Sequence, residues 1–528
     1  MEALQTIVLI GALIILGSVV APRLHVPTPL LMLLLGIGVG FVPQVQAVQL
    51  PSEAVLVLFL PALLFWESLT TSLREIRRDL RGILLLSTLL VVATALGVAG
   101  IATAVGLTWG AALILGAALA PTDATAVGAI ARSLPHRNMT VLRAESLMND
   151  GTALVIFSIA VGVGVSQIDY TGWEITGLVA VAYLGGGVIG GLFGWGGTWL
   201  LGKVREPIAN NAVLALLPFG AFLLAELVHA SGVVAVVITG LALSQSGPRV
   251  STPQARQQTF AFWSLTTFFL NNALFVLVGI EVHVAARAVP GDAIGGLLLL
   301  TVFAWLAVLV IRFGFQFVSI YLIRLFDRRP AQKSRRMSHR ARVVSTAAGF
   351  RGAVSLAVAL AVPTTLASGE PFPGRDEIVF VTSGVVLLTL LVQGLLLPVI
   401  VRWAHFEPDS HLDEELAHAE EKAAADAMDH IDEEAESLGT GDDVRDRVAS
   451  QFEEHRALLD TSPRVEESDR LREDDRQSVE LRLALLERKR NVMIRLRDGG
   501  TISDTTLRTM QARLDREALR LTQPEILE

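Results

Sequence analysis

Apolar runs of about 18 to 25 residues recur through roughly the first 405 positions, interrupted by short polar or charged breaks, and none alternates with the period of two that a barrel strand needs. About 20 helical residues cross the ~30 Å of bilayer hydrocarbon. The pattern therefore predicts an all-α polytopic membrane protein. Thirteen spans are expected, at about 3–21, 29–43, 52–70, 82–105, 108–131, 139–165, 174–201, 211–229, 231–246, 258–281, 292–324, 343–365 and 377–403. The N-terminal run lacks a basic leader and is longer than a signal peptide's, so it reads as a retained first span. Beyond Phe406 the periodicity changes to that of polar helices over 411–438 and 465–497. A Gly499-Gly500 break follows, and then a restart capped by Ser503, with Leu507, Met510, Leu514, Ala518 and Leu521 on one stripe.

Charge sharpens this division. The whole chain carries −8, but residues 406–528 hold 33 acidic and 18 basic side chains, which leaves the first 405 at about +7. Two domains are expected: 1–405 in the membrane and a helical regulatory or dimerisation tail, 406–528. With alternate loops assigned to opposite sides, about 20 Lys and Arg fall on one side and two, Arg287 and Arg375, on the other. The positive-inside rule then places the N-terminus outside and the tail in the cytoplasm of a cell membrane. The absence of cysteine removes disulfides and thiolate metal sites. No hydrolase constellation is present, and no nucleic-acid partner or cofactor is expected. Gly197-x4-Gly202-Lys203 mimics a phosphate loop, but Val204 stands where a Ser or Thr belongs and no strand precedes it. It reads as helix packing, as do Gly185 to Gly187 and Gly190-Gly191.

Spans 1–6 and 8–13 begin on opposite sides, as in an inverted repeat. The fifth helix of each half is interrupted, by Ala120-Pro121-Thr122-Asp123 in one and Gly349-Phe350-Arg351-Gly352 in the other. Paired broken helices at the midplane point to an ion site. Ionisable residues at that depth need a reason to be there, and Glu67, Asp123, Glu145, Asp150 and Arg351 are the ones that matter most. On a helix Glu145 and Asn149, and likewise Ser146 and Asp150, are four residues apart, so their oxygens lie on one stripe suited to a hard cation. Asp150 is the expected ion and proton carrier. Asp123 can either cap a half-helix or ligate the ion, and Glu67, close to the cytoplasmic end of its span, can be simply hydrated or belong to the site or its gate. Glu145 with Arg351 can be a charge pair.

Five patches resemble the cation/proton antiporter superfamily, in its electroneutral sodium/proton exchanger branch: Phe59 to Glu67, Ala120 to Asp123, Glu145 to Gly151, Leu270 to Gly279 and Phe350 to Leu356. The resemblance implies a dimerisation domain and a core domain with two crossed broken helices, the NhaA-like fold, together with homodimerisation and an elevator-like movement of the core. It makes Asp150, Ser146 and Thr122 the sodium ligands, with Glu67 completing the site and Glu145 and Arg351 forming a supporting ion pair near Asn149. Asn149-Asp150, in place of Asp-Asp, implies electroneutral exchange. The expected function is Na⁺/H⁺ antiport, with Li⁺ as a further substrate. Potassium/proton exchange and a cation channel are the alternatives. An intramembrane protease lacks its paired aspartates.

Overall fold

The computed structural model describes residues 2–24, 26–42, 55–73, 76, 83, 86–123, 136–166, 172–326, 338–366, 368–406, 422–423 and 425–459, with single helical positions between 482 and 518. Among the described residues there is no β-strand, only one isolated bridge between Thr365 and Pro371. Two compact units divide at Met1–Pro408 and Asp409–Glu528.

In the first unit the helices are α1 (Glu2–Leu24), α2 (Thr28–Val39), α3 (Leu60–Thr70), α4 (Val91–Ala104), α5 (Trp109–Leu119), α6 (His136–Ser166), α7 (Gly172–Lys203) and α8 (Pro207–Leu227). They continue with α9 (Gly232–Val250), α10 (Pro253–Ala288), α11 (Ile294–Phe326), α12 (His339–Ala347), α13 (Ala353–Leu360), α14 (Arg375–Leu388) and α15 (Gly394–Ala404). Short π turns lead into α3 and α4 and join α14 to α15. The first eleven predicted spans each overlap one of these helices, whereas 343–365 and 377–403 each overlap two. Eight helical stretches are long and apolar enough to cross a bilayer, and four further apolar helices are shorter.

Helix starts are local in origin. Ser231, Thr252 and Ser338 accept hydrogen bonds from the N–H groups of Val234, Ala255 and Ala341 at 3.1–3.3 Å, and Pro207 and Pro253 occupy first-turn positions where no N–H is needed.

The helices pack as two bundles. One is built from α1–α3 and α7–α10, the other from α4–α6 and α11–α15, and α10 and α6 carry much of the contact between them. In the first bundle glycines let backbones meet. A Cβ at Gly279 of α10 would lie 2.7 Å from the Ile37 nitrogen and 2.8 Å from Gly36 Cα of α2. On α7, a Cβ at Gly190 would lie 2.8 Å from Ile238 Cβ and 3.0 Å from Ala235 Cα, and Gly185 and Gly186 likewise meet α9 or the turn before it, whereas Gly187 and Gly191 face open space. The expected helix-packing role thus belongs to Gly185, Gly186 and Gly190. Gly197 also packs, against Leu217, within an uninterrupted helix. Gly190→Ala is expected to destabilise the protein by about 1–3 kcal/mol through overpacking. Gly187→Ala should hold or raise the thermal midpoint of the detergent-solubilised protein, because the new methyl meets nothing and Ala is favoured over Gly within a helix by up to about 1 kcal/mol.

In the second unit α16 (Ile431–Leu438) and α17 (Asp442–Leu459) are described. The predicted Gly499-Gly500 break, Ser503, Leu507 and Leu521 lie outside the described residues, whereas Met510, Leu514 and Ala518 are helical and Leu514 is buried.

Candidate ion site at the crossed helix breaks

Helix α5 ends at Leu119 and the chain leaves the helix through Pro121, Thr122 and Asp123. In the second half α12 ends at Ala347 and α13 begins at Ala353. The two breaks touch, with the Asp123 N–H donating to the Phe350 carbonyl at 2.9 Å. Each half-helix presents carbonyls or N–H groups that its own turns cannot satisfy, and these ends carry partial charge. Arg351 meets the negative ends, donating from Nε to the Leu119 carbonyl at 2.9 Å and from Nη1 to the Gly349 carbonyl at 2.6 Å. Asp123 lies at the positive end of α13, its carboxylate packed so closely on Gly352 that any Cβ there would overlap it. An arginine and an aspartate thereby neutralise the ends of two crossed helices.

Helix α6 runs past this crossing and contributes the stripe read from the sequence. Glu145, Ser146, Asn149 and Asp150 are all buried, with exposure of at most 3%. Ser146 Oγ donates to the Thr122 carbonyl at 2.7 Å, and Asn149 Nδ2 donates to Thr122 Oγ1, also at 2.7 Å. These two bonds fix the α5 break to α6 and aim Asn149 Oδ1 away from Thr122. Asn149 Oδ1 and Asp150 Oδ1 are then buried with no hydrogen-bond partner. In a low-dielectric interior such acceptors are costly unless something positive meets them, and a hard cation or a proton does so. Glu67, half-buried on α3, and Asp123 lie within electrostatic reach of Asp150. The structure thus gathers Glu67, Thr122, Asp123, Ser146, Asn149 and Asp150 in one region from three separate segments.

The expected Glu145–Arg351 ion pair is not the one formed. Glu145 Oε1 pairs with Arg312 Nη1 at 2.5 Å, and both side chains are 2% exposed. Arg312 reaches it from α11, donating Nε to the Ser345 carbonyl at 3.1 Å and packing against Gly349 of the second break, where a Cβ would lie 2.7 Å from its Cδ. Gln316 adds a bond to Ser345 Oγ at 2.9 Å. The physical reason is that Arg351 is already engaged by carbonyl ends, leaving the carboxylate to the guanidinium of the next helix. The signal was present in the sequence: Arg312 stands alone in an apolar run, and an arginine there requires a partner.

Polar contact between the two bundles also occurs away from this centre, where Glu281 of α10 pairs with Arg375 of α14 at 3.6 Å. Arg375 Nε additionally donates to the carbonyl of Val362, just after α13, at 3.2 Å.

A multi-span helical protein whose two broken helices cross beside buried carboxylates is a secondary transporter in architecture. The chain belongs to the sodium/hydrogen exchanger family, whose transmembrane model matches residues 8–403; its members are transporters of Na⁺ and H⁺, not enzymes. A Mycobacterium tuberculosis protein described as an uncharacterised Na⁺/H⁺ exchanger, Rv2287, is 40% identical over 99% of this chain and 96% of its own length. The Na⁺/H⁺ antiporter ApNhaP of Aphanothece halophytica is 32% identical over 71% of this chain and 69% of its own. The fold is similar to that of the sodium proton antiporter MjNhaP1 of Methanocaldococcus jannaschii, with a TM-score of 0.59 at 20% identity, covering 77% of this chain and all of that one.

Proposed function

We propose that this protein exchanges one Na⁺ for one H⁺ across the cell membrane, electroneutrally, with both ions competing for Asp150. The observation that carries this is the pair of buried, unpartnered oxygens, Asn149 Oδ1 and Asp150 Oδ1, held beside the Thr122 carbonyl and Ser146 Oγ. Sodium is held by Asp150, Ser146 and the Thr122 carbonyl, with Glu67 completing the shell, and Li⁺ is a further substrate. Asp123, Arg351 and the Glu145–Arg312 pair hold the crossing in shape. A single carboxylate that binds either ion moves no net charge per cycle.

Competition has a definite sign. On the acid side of the Asp150 titration, each unit fall in pH should raise the apparent KM for sodium by up to about tenfold, with the limiting rate unchanged. Vesicles containing a pH dye, given Na⁺, Li⁺ or K⁺ in turn, test this and name the preferred cation. An apparent KM that stays constant across pH contradicts the proposal, and K⁺-driven flux equal to that of Na⁺ favours the potassium reading.

Alternating access requires the second bundle to move against the first, so the Glu281–Arg375 tie must part during the cycle. Glu281→Gln is expected to change the limiting rate severalfold with the apparent KM within about twofold, as for an interaction outside the ion site. The inverse result, a shifted KM at constant rate, would put the pair in ion binding. The proposal includes a homodimer, as the resemblance of the sequence implies. It also includes an outside N-terminus and a cytoplasmic tail, supported by the loop charges.

A further inference from the structure

The C-terminal ends of α7 and α9 and the N-terminal ends of α8 and α10 meet at one edge of the first bundle. Gly202 packs beside Val250, 3.7 Å from a Cβ built on the glycine. Asn210 donates to the carbonyls of Leu201 and Val204 at 3.0 and 2.9 Å, and Asn211 to that of Ala255 at 3.3 Å. Four bases sit on these tied ends: Lys203, Arg205, Arg249 and Arg256. All four are exposed, and none forms an ion pair among the described residues. Arg256 bonds only the Ser251 carbonyl of its own loop, at 2.6 Å. The acid in this edge, Glu206, is occupied, since its two carboxylate oxygens accept from the N–H groups of Ile208 and Ala209 at 3.1 and 2.6 Å.

The edge continues into apolar surface. Lys203 Nζ lies 4.0 Å over the Trp199 ring, and Leu192, Trp195 and Trp199 are exposed along α7 above it. Trp and Lys at the end of a membrane-length helix mark the headgroup level. Basic pockets between helix ends at that level bind anionic head groups, at about 1 kcal/mol per base.

We propose that this edge is a binding site for an anionic phospholipid, with the phosphate held among Lys203, Arg205, Arg249 and Arg256 and the acyl chains lying along Leu192, Trp195 and Trp199. The site lies outside the ion centre and does not depend on the proposed exchange mechanism.

The full-length protein in nanodiscs of phosphatidylcholine with increasing phosphatidylglycerol, ejected into a native mass spectrometer, provides the test. Wild type should retain phosphatidylglycerol over phosphatidylcholine, and the Lys203→Gln/Arg249→Gln/Arg256→Gln variant should lose about fivefold in that preference for each base removed. Arg249→Lys/Arg256→Lys, which keeps the charge, should retain it. Sodium-dependent flux of the triple glutamine variant in pure phosphatidylcholine vesicles should match wild type, which shows that the variant is folded. Equal lipid retention in wild type and the triple variant would overturn the proposal. So would displacement of the lipid by soluble glycerol phosphate at equal concentration, or a triple variant destabilised in pure phosphatidylcholine, where the bases would be serving the protein's own acids instead.

Discussion

Asp150→Asn abolishes sodium-dependent proton flux, by at least 100-fold, while the protein still folds and inserts. The carboxamide has nearly the carboxylate's shape but neither takes up a proton near neutral pH nor supplies the charge that offsets cation desolvation. Because Asp150 Oδ1 has no hydrogen-bond partner within the protein, its loss breaks no structural bond at that atom. The thermal midpoint is therefore expected to hold or to rise, since a buried charge is removed. Purified wild type and variant, compared by vesicle flux and by melting, check both halves. Residual flux within about tenfold of wild type would remove Asp150 from the centre of the mechanism.

Arg312→Met destabilises the protein by about 3–5 kcal/mol, because it leaves the Glu145 carboxylate buried without a counter-charge. Glu145→Leu should be nearly as costly, since Arg312 then keeps only its bond to the Ser345 carbonyl. The double variant Glu145→Leu/Arg312→Met removes both charges together and should recover much of the loss. A double-mutant cycle on thermal or denaturant midpoints reads the coupling directly. Strict additivity would mean that the two charges do not act as a pair. The transport phenotype should follow folding: Arg312 touches the second break at Gly349, so its loss lowers the amount of competent protein more than it alters the apparent KM.

The helices were legible because a bilayer forces every backbone group to be satisfied within its own segment, so span length and apolar periodicity are set by the solvent. The breaks were legible too: Pro121 cannot donate within a helix, and Gly349 and Gly352 allow the second chain segment to come close. The Ser146 and Asp150 stripe followed from helical spacing alone. Partner choice was not legible. Which arginine meets Glu145 depends on how α11 crosses α6 and on Arg351 being drawn to the Leu119 and Gly349 carbonyls, a tertiary arrangement that spacing along one helix does not encode. The bond from Asn149 to the Thr122 hydroxyl, which turns the asparagine oxygen away from it, belongs to the same class. The two carboxylates read as ambiguous, Asp123 and Glu67, were so for a physical reason. An acid at a half-helix N-terminus can be a cap, a ligand or both, and the packing of Asp123 on Gly352 supports the capping role without excluding electrostatic contact with Asp150.

The most direct test of one-for-one exchange at a single carboxylate is the null point of transport. Wild-type vesicles are poised with sodium and proton gradients of the same direction, whose driving forces oppose one another in an exchanger, while the membrane potential is clamped, and net flux is followed as one gradient is varied. One-for-one exchange predicts that flux vanishes when the two concentration ratios are equal, at every clamped potential. A null point that moves with the potential would show that charge crosses with each cycle and would contradict the account.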